Sequence, residues 1–287
     1  TSLPLRVTQD YFDRSQIPSV GANPQQTLPK LWQKKLPNQI NILGTEYDET
    51  PTISIQISLK GGRRVEQIEK QGLAKLTAAM MNQSSQLHNV AELNDQLQLL
   101  GSSVSFSTGL YSTMVNVTAL TKNLPETLAI LEERLFKPGF TEADFKRVKA
   151  NIYQASQQNQ QKVGWLGQLA LQRLLYGEKR ITGNASSGPL AVQKGLTLAD
   201  VKDYYQRYYN LGGAKIVVIG DVSSERISQD LGFLQQGAKL PVVTYPSLAK
   251  APKWQANKLY IIDKPNAVQS VIKVFTPAIA YDVTSQF

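Results

Sequence analysis

The most regular alternation in the chain is Ile53-Ser54-Ile55-Gln56-Ile57-Ser58-Leu59, where apolar and polar residues take strict turns. A period of two places the isoleucines on one face, so the run predicts a half-buried strand, closed by Gly61-Gly62. Upstream, Ile40-Asn41-Ile42-Leu43 predicts a partner strand, joined to it by a turn from Glu46 to Pro51. Val104 to Thr108 and Thr113 to Leu120 predict a hairpin with Val115, Val117 and Ala119 on one face. Ala214 to Val222 is short and rich in β-branched residues, and predicts a buried strand.

Between these runs the apolar spacing is helical. Leu73, Leu76, Met80 and Met81 mark one helix. Ala91 to Leu100 marks the next and ends at Gly101, a suitable C′ residue. A third spans about Pro125 to Phe136, with proline in its first turn. Thr141 with Asp144 three residues on starts a fourth in the manner of a capping box. Val163 to Tyr176 is a fifth. Thr197 with Asp200 opens a sixth, and Ser223 or Ser224 caps a last one through about Leu234. Strands gathered around helices without β-α-β alternation predict the α+β class, an antiparallel sheet packed with helices.

The same pattern divides the chain. Residues 1–27, rich in Pro and Gln, read as a linker or arm, and 28–240 as the α+β domain. Residues 241–255, with Pro241, Pro246 and Pro252, read as a second linker. In 256–287 the strands Leu259 to Ile262 and Gln269 to Phe275 flank the turn Asp263-Lys264-Pro265. They echo residues 40–59 and read as the opening strands of a second, truncated repeat. Thr1 without an initiator Met reads as an internal cut in a longer protein, with a processed mature start as the alternative.

Composition narrows the chemistry. Hydrophobic residues make up 41% and charged residues 18% of 287, an ordinary globular balance. No apolar run approaches the roughly 18–20 residues that span a bilayer. The absence of cysteine excludes disulfides, thiolate metal sites and a cysteine nucleophile; His88 is the single histidine and reads as a loop or surface residue. The net charge of +9 is dispersed, apart from a stretch holding Lys146, Arg147, Lys149, Lys162, Arg173, Lys179 and Arg180 against Glu178 alone. That stretch is either a solvated outer face or a field attracting acidic peptide. Tyr204, Tyr205, Tyr208 and Tyr209 fall at helical spacing and predict core or interface packing. A nucleic-acid-binding module would rest on those tyrosines and the net charge alone, and no nucleic acid partner is expected.

Several segments, in order, resemble the pitrilysin/insulinase group of zinc peptidases, which includes the mitochondrial processing peptidases. They are Leu36-Pro37-Asn38 leading to Pro51 and the Ile53 strand; Gly61-Gly62-Arg63; Gly72-Leu73-Ala74; Leu97 to Val104; Thr197-Leu198-Ala199-Asp200-Val201 before Tyr205; Ile216 to Val222; and Asp263-Lys264-Pro265 with Ala267 and Gln269-Ser270. The resemblance runs from about Leu28 to Phe275 and implies a metallopeptidase-like domain whose sheet edge is completed by Leu259 to Ile262.

Active members of that group carry H-x-x-E-H on the helix after Gly-Leu-Ala: two histidines one turn apart bind zinc, and the glutamate serves as general base. Carried over, the first histidine falls on Lys75, the glutamate on Ala78 and the second histidine on Ala79, none of which can fill its role. The third ligand, a glutamate, falls near Ala155, in a stretch from Phe145 to Gly177 without any acid. The resemblance therefore implies a catalytically silent C-terminal half with no catalytic, cofactor-binding or metal residues of its own. Zinc would reside in a catalytic half, on the same protein or a homologous subunit. This chain would supply chamber wall and contact to peptide substrates. The alternative is a stand-alone inactive subunit or structural relative that pairs with an active partner chain. A periplasmic or exported bacterial location is expected, with a cytoplasmic one as the alternative.

Overall fold

A computed structural model of the chain describes residues 11, 13, 15, 21, 29–37, 39–238, 242–253 and 257–275. Most of the expected arm at 1–27, Pro241 in the expected linker, and residues 276–287 lie outside the described residues. Six strands form one sheet: β1 (Leu31–Leu36), β2 (Ile40–Glu46), β3 (Thr52–Lys60), β4 (Ser103–Thr108), β5 (Ser112–Leu120) and β6 (Lys215–Gly220), in the order β1-β2-β6-β3-β5-β4.

The hairpin expected between the first two predicted strands does not form. Strand β6 enters between them, parallel to β2 (Ile42 opposite Ile216) and antiparallel to β3 (Ile57 opposite Ile216). The sheet is therefore mixed rather than purely antiparallel, and the α+β class stands. Insertion fits the sequence of β6, whose backbone groups are paired on both sides while its side chains alternate between the core and the open face. Ile216 and Val218 are buried, but Val217 is 36% and Ile219 48% exposed, so this run is interior in the sheet yet half-buried in packing. Strand β1 carries little apolar signal: Lys34 and Lys35 lie on it, and it closes the edge beside β2. Trp32 of β1 stands opposite Gly44 of β2, where a side chain would collide with the indole ring.

The helices are α1 (Leu73–Met81), α2 (Val90–Leu99), α3 (Leu124–Phe136), α4 (Glu142–Asn159), α5 (Val163–Tyr176), α6 (Leu190–Gly195), α7 (Leu198–Tyr208) and α8 (Ser224–Asp230); α1, α3 and α7 pack on the face that carries the isoleucines, whereas α5 has no buried residue. Ile53, Ile55, Ile57 and Leu59 of β3 join Val115, Val117, Ile216 and Val218 in a core completed by Leu76 and Met80 of α1, Leu131 of α3 and Val201 of α7. Each such side chain removed from water contributes about 1.5–3 kcal/mol. The helix ends follow their sequence signals. Thr197 accepts from Asp200 N while Asp200 accepts from Thr197 N, a full capping box. At the end of α2, Gly101 at φ 60° donates to Gln98 and Ser102 donates to Leu97, the paired bonds of a Schellman motif. Asn89 caps the start of α2, reciprocated by Glu92.

Beyond α8 the regular layers give out. Leu231–Gly237 forms a 3-10 helix with Leu231 and Leu234 buried. Residues 257–275 form no strand among the described residues, where two were expected. The edge beside β2 is already taken by β1, and residues 258–275 run instead along α5. There Leu166, Ala170 and Leu174 face Leu259, Ile261 and Ile272 across a cavity of about 500 Å³. Leu259, Ile261 and Ile272 stay more than four-fifths exposed.

Candidate functional site

The first turn of α1 is built by backbone geometry and one buried acid. Gly72, the N-cap of α1, has φ 93°, and a side chain there would meet Ser187 O at 2.1 Å. Gly188, at φ 73°, is as close to Gln71 O, so the 184–188 loop crosses directly over the start of α1. With no side-chain cap at Gly72, Glu66 takes over: its Oε1 accepts from Gly72 N at 3.1 Å and Ala74 N at 2.7 Å. Glu66 is 7% exposed and its Oε2 has no hydrogen-bond partner. Burial pushes its carboxyl up to about 7, against the two backbone bonds and the charge of Arg63.

The positions that correspond to H-x-x-E-H then follow along α1. Lys75 is exposed, Ala78 is buried, and Ala79 packs against the core. An ammonium and two methyl groups offer no ligand atom to a cation, so the residues present do not fit zinc. Ala155 is exposed on α4, and its neighbour Ser156 is tied to Ile152 O, Ser187 and Gln193. Just past α1, Asn82 donates to Phe106 O and accepts from Phe106 N, which pins the helix end to β4. Among the described residues no three His, Cys, Asp or Glu side chains converge where a metal ion could be held.

A cavity of about 270 Å³ occupies this region instead. Lys75 of α1 and Asn159 of α4, one turn beyond Ala155, open into it together with Arg63, Trp165, Gln168 and Gln172. No carboxylate lines it. Arg63 Nη2 donates to the carbonyls of Ile181, Asn184 and Ala185, which fixes the guanidinium in the wall. Burial lowers the pKa of Arg63, and burial followed by the charge of Arg63 lowers that of Lys75. The sequence alone gave neither Arg63 nor Glu66 a role at the site. The available signal was a Gly-Gly turn, an Arg and an acid packed into the few residues before a helix that lacks a side-chain cap.

His88 sits in the loop between α1 and α2, as expected, but it has a partner. Its Nδ1 lies 2.9 Å from Glu133 Oε1 of α3, an oxygen that also accepts from the Ser85 hydroxyl. The basic stretch is not one patch. Arg147 pairs with Asp144 and Arg173 with Glu178; Lys149 donates to the carbonyls of Lys194 and Leu196, and Arg180 to that of Ala249. The tyrosines of α7 pack inward: Tyr204 is 2% exposed with its hydroxyl on Gly62 O, and Tyr205 donates to Leu135 O. No helix among the described residues is long and apolar enough to cross a membrane.

Residues 43–183 match insulinase, peptidase family M16. Over 203 residues the chain is 24% identical to the non-peptidase homologue YmxG of Helicobacter pylori, covering 69% of this chain and 47% of that protein. It is 23% identical to mitochondrial-processing peptidase subunit beta of Saccharomyces cerevisiae, covering 70% of this chain and 44% of the relative. The chain thus spans about half the length of these relatives. Among solved structures, the fold superposes on a peptidase M16 inactive domain from Pseudomonas fluorescens with a TM-score of 0.71, at 21% identity over 77% of this chain and 54% of that one. It superposes on the periplasmic protease PqqL of Escherichia coli with a TM-score of 0.64, at 19% identity over 83% and 26%.

Proposed function

From the premise that this chain carries an insulinase-type, peptidase family M16 domain, we propose that it is a non-catalytic unit of a peptide-hydrolysing assembly. It holds no zinc of its own. The carrying observation is that Lys75, Ala78 and Ala79 stand on α1 where H-x-x-E-H would, with Lys75 opening into a cavity that no acid lines. Its role is to form chamber wall and part of the substrate contact for a zinc-bearing half. That half lies on the same protein or on a homologous subunit. The likeness to an inactive domain of the same family supports the reading.

A second reading is a stand-alone inactive subunit that pairs with an active partner chain. It is favoured by the likeness to a protein described as a non-peptidase homologue and to one described as a subunit. A periplasmic location is proposed from the likeness to a periplasmic protease.

The test is incubation of the chain with a mixed peptide library, with and without added zinc, read by mass spectrometry. The proposal predicts an unchanged library in both arms. New termini that appear with zinc and vanish with a chelator would overturn it.

A further inference from the structure

The cavity at the altered face of α1 has a composition suited to one kind of ligand. Two cations, Arg63 and Lys75, open into it, and no Asp or Glu does. Arg63 is held in place by the carbonyls of Ile181, Asn184 and Ala185, so its charge is positioned before any ligand arrives. Its buried Nε has no hydrogen-bond partner. Lys75 is placed by α1 where partial burial, and after it the charge of Arg63, disfavours its ammonium, an arrangement that an entering anion relieves. The rest of the wall is unlike a plain phosphate site. Gln168, Gln172 and Asn159 present amide groups, which can both donate to and accept from a peptide backbone. Trp165 offers an apolar surface for a side chain.

We propose that this cavity binds the C-terminal carboxylate of a peptide, with Lys75 and Arg63 on the carboxylate and the amide side chains along the last peptide bond. The site would anchor a peptide end beside α1, next to Lys75, the position that corresponds to the first histidine of H-x-x-E-H. This inference rests on the reading of the chain as a substrate-contacting, non-catalytic unit and names the chemistry of that contact.

The experiment is isothermal titration calorimetry on the whole 287-residue chain. The ligands are the tripeptide Ala-Ala-Phe with a free C-terminus, the same peptide as its C-terminal amide, and inorganic phosphate. The expected result is binding of the acid about tenfold tighter than of the amide. The preference should vanish in Lys75→Gln and persist in Lys75→Arg, with both variants retaining the wild-type circular dichroism spectrum. Equal affinity for acid and amide, or a preference untouched by Lys75→Gln, would overturn the proposal. Phosphate binding as tightly as the acid peptide would also overturn it, in favour of a general small-anion site. None of these results bears on zinc-dependent cleavage, so the site can fail while the non-catalytic reading stands, and the reverse holds as well.

Discussion

The carboxylate of Glu66 accepts a hydrogen bond of 2.7 Å from the backbone N–H of Ala74, and it is this buried acid that caps α1. The cap comes with an electrostatic cost, because burial raises the Glu66 carboxyl to about 7. A carboxyl whose folded pKa is raised keeps its proton longer in the folded state than in the unfolded one. Its contribution is therefore full below the unfolded value, about 4.5, and is lost as pH rises to about 7. The loss is on the order of 3 kcal/mol. Glu66→Gln keeps an acceptor for Gly72 and Ala74 without a charge. Urea denaturation should show the variant less sensitive to pH across that window and more stable than wild type at about pH 8. Parallel pH profiles for the two proteins would show that Glu66 is ionised without penalty.

His88 adds a second contribution of the same sign. Its hydrogen bond to Glu133 raises the imidazole pKa; desolvation opposes this and the charges of Glu133 and Glu92 support it. The stabilisation is full below the unfolded value of about 6.5 and is lost as pH rises through the raised folded value. His88→Ala should narrow the difference in melting temperature between mildly acidic and mildly alkaline buffer. An NMR titration of this single imidazole gives the pKa directly, and a value at or below the ordinary one would contradict the pairing.

Gly72→Ala should destabilise the domain by about 2 kcal/mol or more. The added methyl meets Ser187 O at 2.1 Å, and φ 93° is unfavourable for alanine. Because the backbone fixes the methyl and Ser187 O is itself a backbone atom, no side-chain rotation relieves the contact. Chemical denaturation measures the loss. Gly195→Ala, in α6 with open space around it, is the matching control and should cost nothing.

Tyr204→Phe removes the hydroxyl that donates to Gly62 O at 2.8 Å in a buried setting. The expected cost is about 1–3 kcal/mol, because the carbonyl loses its partner without gaining water. A variant as stable as wild type would show that the bond is replaced.

Much of this fold was written in local patterns. The alternation of β3, the Thr197–Asp200 cap and Gly101 after α2 each depend on residues near one another in sequence, and each element lies where its signal pointed. The insertion of β6 between β2 and β3 was not legible, because strand order depends on pairings across more than 150 residues and an adjacent hairpin satisfies the same alternation. Strand β1 was missed because an edge strand with Lys34 and Lys35 has half the apolar signal of an interior one. At the candidate site, Lys75, Ala78 and Ala79 could be read from their place after Gly-Leu-Ala. The cavity could not, since Arg63, Lys75 and Trp165 meet only once the 184–188 loop crosses α1.

Metal analysis of the purified chain, dialysed after loading with excess zinc, tests the central claim most directly. The account predicts zinc near zero per chain, because α1 presents Lys75, Ala78 and Ala79 where ligands would stand. About one zinc retained per chain would contradict it and would mean that side chains outside this face assemble a site.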